Sequence, residues 1–169
     1  VNAGLNNLSD RINWQTLIMF ALGFWLSSSL LLDFAIVPGL ATTGMMAQAG
    51  FASAGYVIFG IFNHIELLCA ALVLTSFLVL CRHHHFSNRQ QRWAIGLSVI
   101  LLAIAIIYTY ILTPQMSSLG LQLNWFEPTT SVQTAMIEMH GGYWGLEVLK
   151  AIACATLLRW CYRDSCTLV

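Results

Sequence analysis

The sequence predicts an all-α integral membrane protein, a four-helix bundle with both termini in the cytoplasm. Three observations predict it. Of the 169 residues, 58% are hydrophobic and only 8% are charged, against about 25% charged in a soluble domain; mean hydropathy is +0.73. The apolar residues gather into four runs, at 14–37, 57–81, 93–113 and 132–160, each long enough for the roughly 20 residues that cross a hydrocarbon core. In a four-span reading all six arginines (Arg11, Arg82, Arg89, Arg92, Arg159 and Arg163) fall on one side, and the two opposite loops carry no Arg or Lys. Positive charge is retained in the cytoplasm, so both ends belong there.

Residues 1–13 are polar and read as a cytoplasmic tail, with Ser9 or Asp10 capping the first helix. The stretch Val1 to Trp14 holds one arginine and no apolar core, so no cleavable signal peptide is expected. The first span is expected to stop at Pro38-Gly39. Residues 40–56 are small and uncharged; they suit either an interfacial helix or an outer extension of the second span, and Gly50 and Ala54 form a small-xxx-small pair. The loop 82–92 contains His83-His84-His85. That run resembles a metal tract, although adjacent residues converge poorly on one ion, and a polar cytoplasmic loop is the simpler account. Pro114 is expected to close the third span. The fourth leads to a short cytoplasmic tail, 161–169. Trp14, Trp93 and Trp160 lie at the cytoplasmic ends of three spans, as an aromatic belt requires.

The polar residues inside the spans are the candidate site. A charge in lipid is costly, so Glu66, Glu147 and Lys150 should face neighbouring helices, and Asp33 either the bundle or the outer water. His140, Tyr143, Glu147 and Lys150 follow at steps of three, four and three, which places them on one helical stripe. Glu147 precedes Lys150 at i, i+3, a favourable order for a pair; the two form either a self-neutralised pair or a proton- or ligand-handling one. Trp25, Ser29 and Asp33 make a similar stripe on the first span, and Asn63 shares a face with Glu66. His64 is 18 residues from Arg82 and His140 is 19 from Arg159, so at 1.5 Å per residue both stand roughly 27–28 Å above the arginines. They can hydrogen-bond backbone or water, join a proton relay with Glu66 and Glu147, or ligate a haem or transition metal between helices. His64 and Glu66 lie on nearly opposite faces, so both should not line one small site. Gly141, Gly142 and Gly145 would admit a neighbouring helix or a flat cofactor.

Five cysteines with no CxxC spacing are expected to be free thiols; Cys69 and Cys154 lie inside spans, and Cys81, Cys161 and Cys166 lie at the reducing side. Seven basic and seven acidic residues balance, which gives no case for nucleic acid.

Phe24-Trp25-Leu26-Ser27, Val37-Pro38-Gly39-Leu40, Phe62-Asn63-His64-Ile65-Glu66-Leu67, Thr113-Pro114-Gln115-Met116 and Met139-His140 stand in an order that resembles the family called domain of unknown function 4149. Its animal relatives are small four-span membrane proteins. The resemblance spans roughly residues 15–160 and implies the four-span fold without an activity. The chain departs from the pattern by lacking a glycine after the tryptophan of the first span and an aromatic soon after Pro38. More remotely the chain is similar to the four-helix membrane group of copper-resistance D proteins and a haem-binding porphyrinogen oxidase, which implies haem or copper as a cofactor.

Three functions are therefore expected: a membrane protein binding haem or copper through His64 and His140, an accessory or assembly subunit of a larger membrane complex, or a small proton-coupled carrier acting as an oligomer. Beyond the lipid bilayer, the only partners implied are other membrane subunits. An enzyme is not indicated, since there is no phosphate loop, zinc-protease motif or supported Ser–His–Asp set.

Overall fold

A computed structural model of the chain describes residues 14–45, 50–82, 88–125 and 130–166. They form four long helices: α1 (Trp14–Thr42), α2 (Phe51–Arg82), α3 (88–125) and α4 (Thr130–Cys166). Each packs on its neighbour in sequence, and α1 also packs on α4, which closes the bundle. Short connections between long helices make the successive ones antiparallel.

The core lies where the apolar stripes meet. Ile18, Leu22 and Trp25 from α1, Val73 and Phe77 from α2, Leu101 from α3 and Leu157 from α4 are all fully enclosed. Buried hydroxyls on Ser76 and Ser98 donate to the carbonyls of Leu72 and Ala94 one turn back, so they need no partner from another helix. Gln15 Nε2 donates to the Cys161 carbonyl at 2.8 Å and ties the start of α1 to the end of α4. The outer surface is the reverse of a soluble protein's. Phe20, Leu68 and Ile137 are each more than 70% exposed, and large apolar side chains cover the bundle on every helix. Three helices are long and apolar enough to cross a membrane: Trp14–Thr42, Ser53–Leu80 and Arg89–Gly120. The fourth, α4, is longer still at 37 residues, but Glu138, Glu147, Lys150 and Arg159 divide its apolar stretch.

The helices overrun the expected stops at both prolines. α1 continues through Pro38 to Thr42, and α3 continues through Pro114 to Trp125. In a regular α-helix a proline removes one hydrogen bond and its ring meets the carbonyl four residues back. Here each proline follows a five-residue π-helical turn, Leu32–Ile36 in α1 and Tyr108–Leu112 in α3. The Val37 N–H reaches the Leu32 carbonyl and the Thr113 N–H reaches the Tyr108 carbonyl, five residues back. The extra residue widens the turn and gives the ring room.

The stretch 40–56 is shared between α1 and α2. Gly44 and Gly50 separate the helices with φ of 69° and 92°, a conformation that favours glycine. Gly50 therefore stands before α2, accepting from the Ala54 N–H at 3.0 Å, and is not a packing partner of Ala54 within a helix. The Ser9 or Asp10 cap, the run His83-His84-His85 and Glu127 lie outside the described residues.

Candidate functional site: a buried charge cluster beside a cavity

Four helices each contribute a polar stripe to one place. α1 brings Trp25, Ser29 and Asp33 inward at four-residue steps, and α2 brings Asn63 and Glu66. α3 brings Tyr108 and Thr109 from its π-helical turn, and α4 brings Tyr143, Glu147 and Lys150. Asp33 likewise sits on a π-helical turn.

Glu66 is the hub. Its Oε1 accepts from Trp25 Nε1 at 2.8 Å, Ser29 Oγ at 3.0 Å and Lys150 Nζ at 2.6 Å. Its Oε2 is buried and makes no hydrogen bond. Lys150 also meets Glu147 Oε1 at 2.7 Å, and its ammonium lies 5.2 Å from the centre of the Tyr108 ring. Tyr108 donates its hydroxyl to Glu147 Oε2 at 3.0 Å and to the Tyr143 carbonyl at 3.2 Å. Tyr143 in turn donates to Asp33 Oδ1 at 2.7 Å. Beside this line, Asn63 Nδ2 donates to Thr113 Oγ1 at 2.6 Å.

The chemistry follows from the count of charges. One ammonium is held between two carboxylates, so the cluster can accept one further proton or cation without exceeding neutrality. Taking such ions out of water costs several kcal/mol each, of order 20 in the idealised limit, and only close pairing offsets it. Glu66 and Lys150 are at most 2% exposed, so their contact at 2.6 Å is what makes this burial tolerable.

A cavity of about 450 Å³ adjoins the cluster, at the end of the bundle where α2 and α4 begin. Asp33, Asn63, Tyr108, His140, Tyr143 and Trp144 are on its wall. Its size falls within the roughly 300–1,000 Å³ of small-molecule sites. Tyr108 is shared: it lines the cavity, and its hydroxyl reaches the charge cluster.

The structure thus gathers Asp33, Glu66, Tyr143, Glu147 and Lys150 into one region. It treats the histidines differently. His140 is exposed on the cavity wall with Nδ1 2.8 Å from the Met136 carbonyl. His64 is also exposed, with Nδ1 2.6 Å from the Gly60 carbonyl, and is not on that wall. Among the described residues no group of three or more His, Cys, Asp or Glu side chains is placed to hold a metal ion. Cys69 and Cys154 are free thiols. Gly141, Gly142 and Gly145 do not bring another helix of this chain close, since a Cβ at any of them would meet nothing within 4 Å.

Two partners were not evident from sequence. Tyr108 sits in an uninterrupted apolar run, where only its hydroxyl and the proline six residues later hint at a role. The bridge from Lys150 to Glu66 was hidden by the height count: measured from Arg159 and Arg82, the two stand roughly 14 and 24 Å up. A count along each helix does not fix how the two helices are shifted along their axes, and a lysine side chain leans toward the amino end of its helix, which shortens the gap.

The chain matches no protein-family model, no curated protein and no solved structure. Fold and site alone define its class: a membrane-embedded four-helix bundle with a buried charge cluster beside a ligand-sized cavity.

Proposed function

We propose that this chain is a four-span integral membrane protein with both termini cytoplasmic, acting as a small proton-coupled carrier. The one-sided arginines support the orientation. The inward turn of Glu147 and Lys150 supports α4 as the fourth span, because its costly charges are spent on other helices. The observation that carries the carrier reading is the shared Tyr108, which lines the cavity and whose hydroxyl donates to Glu147. From there the contacts run through Lys150 to Glu66. A ligand pressing on Tyr108 or Tyr143 alters the hydrogen bonds of Glu147, and with them the balance between holding a proton and holding Lys150.

The test is transport. Purified protein in lipid vesicles with a trapped pH indicator is given small organic cations, anions and neutral solutes. A solute that moves protons through the wild type and not through Glu66→Gln supports the carrier. No proton movement with any of them overturns it. The haem or copper reading through His64 and His140 draws no support from this arrangement, and the accessory-subunit reading rests on the lack of a soluble domain between the spans and on the small residues Gly50, Ala54, Gly141 and Gly145, of which Gly141 and Gly145 leave open space beside them.

A further inference from the structure

We infer that the cavity takes an organic cation, an ammonium group attached to an apolar body. This inference rests on the reading of the cavity as a ligand site and specifies its ligand.

Among the described residues the wall carries one acidic side chain, Asp33, and neither a lysine nor an arginine. Asp33 Oδ1 accepts from the Tyr143 hydroxyl, the arrangement that suits a carboxylate. The nearest buried cation, Lys150, lies behind the Tyr108 ring and is held by two carboxylates. Its charge is therefore cancelled on the side away from the cavity. An anion entering here would meet Asp33 with no lysine or arginine on the described wall, where His140 is the one basic side chain. A cation meets both the carboxylate and a wall that includes the aromatic residues Tyr56, Phe59, Tyr143 and Trp144, a residue type whose negative ring faces attract positive charge. The volume is far larger than a bare metal ion needs, and the remaining wall is mostly apolar, with Asn63, Thr113, Ser117 and His140 as its other polar members, so most of the ligand's body is hydrocarbon. Tyr143 stands at the junction. It contacts Asp33 through its hydroxyl, Trp144 edge-on at 6.2 Å between ring centres, and Tyr108 at 5.2 Å. Cation binding at Asp33 thus draws on the same tyrosine that leans on the charge cluster.

The experiment uses three probes of one shape class: benzyltrimethylammonium, benzyl alcohol and phenylmethanesulfonate, titrated calorimetrically into the purified full chain in mild detergent. The expected result is that the ammonium binds at least about tenfold more tightly than the other two, and that Asp33→Asn abolishes this preference. Trp144 lies on the rim at 44% exposure, so Trp144→Leu spares the fold. It is expected to weaken the ammonium about threefold to tenfold while leaving benzyl alcohol unchanged. If Asp33→Asn fails to give monodisperse protein, the Trp144→Leu comparison decides. Equal or tighter binding of the alcohol or the sulfonate overturns the cation inference and leaves the ligand cavity standing. Binding of none of the three overturns both. Ammonium binding without proton movement in vesicles upholds the inference and overturns only the carrier.

Discussion

Lys150 on α4 and Glu66 on α2 meet at 2.6 Å although 84 positions separate them in the chain. This contact joins two helices that are not neighbours around the bundle, so it crosses the interior. The same ammonium holds Glu147 one turn away on its own helix. Lys150→Met leaves two buried carboxylates without their cation. Removing one partner of a buried pair typically costs about 3–5 kcal/mol, so the variant should unfold at a clearly lower temperature in mild detergent. The double variant Lys150→Met/Glu66→Gln should recover part of the loss, because it also removes one stranded charge. A double variant no more stable than the single one would show that the pair is not coupled as described.

Trp25 is fully enclosed in the core and donates to Glu66. Trp25→Phe keeps most of the ring and removes the donor. A hydrogen bond to a charged group contributes about 1.5–3 kcal/mol, and the lost ring volume adds to the loss. Ser29→Ala removes a donor to the same oxygen with almost no change in volume, and should cost less. Thermal denaturation of the two variants side by side checks the order.

Tyr108→Phe tests the shared residue. The ring stays to line the cavity, and the hydroxyl contacts with Glu147 and the Tyr143 carbonyl are lost. Stability should fall by about 1.5–3 kcal/mol. Proton movement in vesicles should fall with it, while ammonium binding persists. Loss of binding together with transport would place the hydroxyl in the ligand's own contacts instead.

Pro38 sits inside α1 just after a π-helical turn. Were it strained in a regular helix, Pro38→Ala would stabilise the protein by about 3 kcal/mol. Because the wider turn already accommodates the ring, the expected change is less than about 1 kcal/mol, read from thermal unfolding. The parallel variant Pro114→Ala in α3 should behave the same way.

Much of the architecture was legible because lipid imposes simple rules. The apolar runs gave four helices, and helical periodicity placed Trp25, Ser29 and Asp33 on one stripe and Tyr143, Glu147 and Lys150 on another. It also put His64 and Glu66 on opposite faces, as found: Glu66 is buried and His64 exposed. The helix ends were not legible. A proline normally marks a stop, and nothing local announces that a π-helical turn will carry the chain past it. The cross-bundle contact of Lys150 with Glu66 was not legible either. Periodicity fixes which face a residue occupies, while its height against another helix depends on how the two are shifted along their axes. Gln15 bonding to Cys161 shows that shift: the start of α1 is level with a residue beyond Arg159.

The orientation is the last expectation to test, and it bears on where the cavity opens. In the four-span reading the arginine ends of the helices face the cytoplasm. The cavity lies at the other end, where α2 and α4 begin, so in that reading its ligand would enter from the extracytoplasmic side. α4 must cross for the carboxyl end to return to the cytoplasm, and its 37 residues span about 55 Å, more than the roughly 30 Å hydrocarbon core requires. A reporter fused after Val169 should therefore be active only in its cytoplasmic form, and one inserted in the linker 43–50 only in its exported form. An exported signal at Val169 would mean that α4 does not cross, and the buried lysine would then lie in a helix that reaches the bundle from one side only.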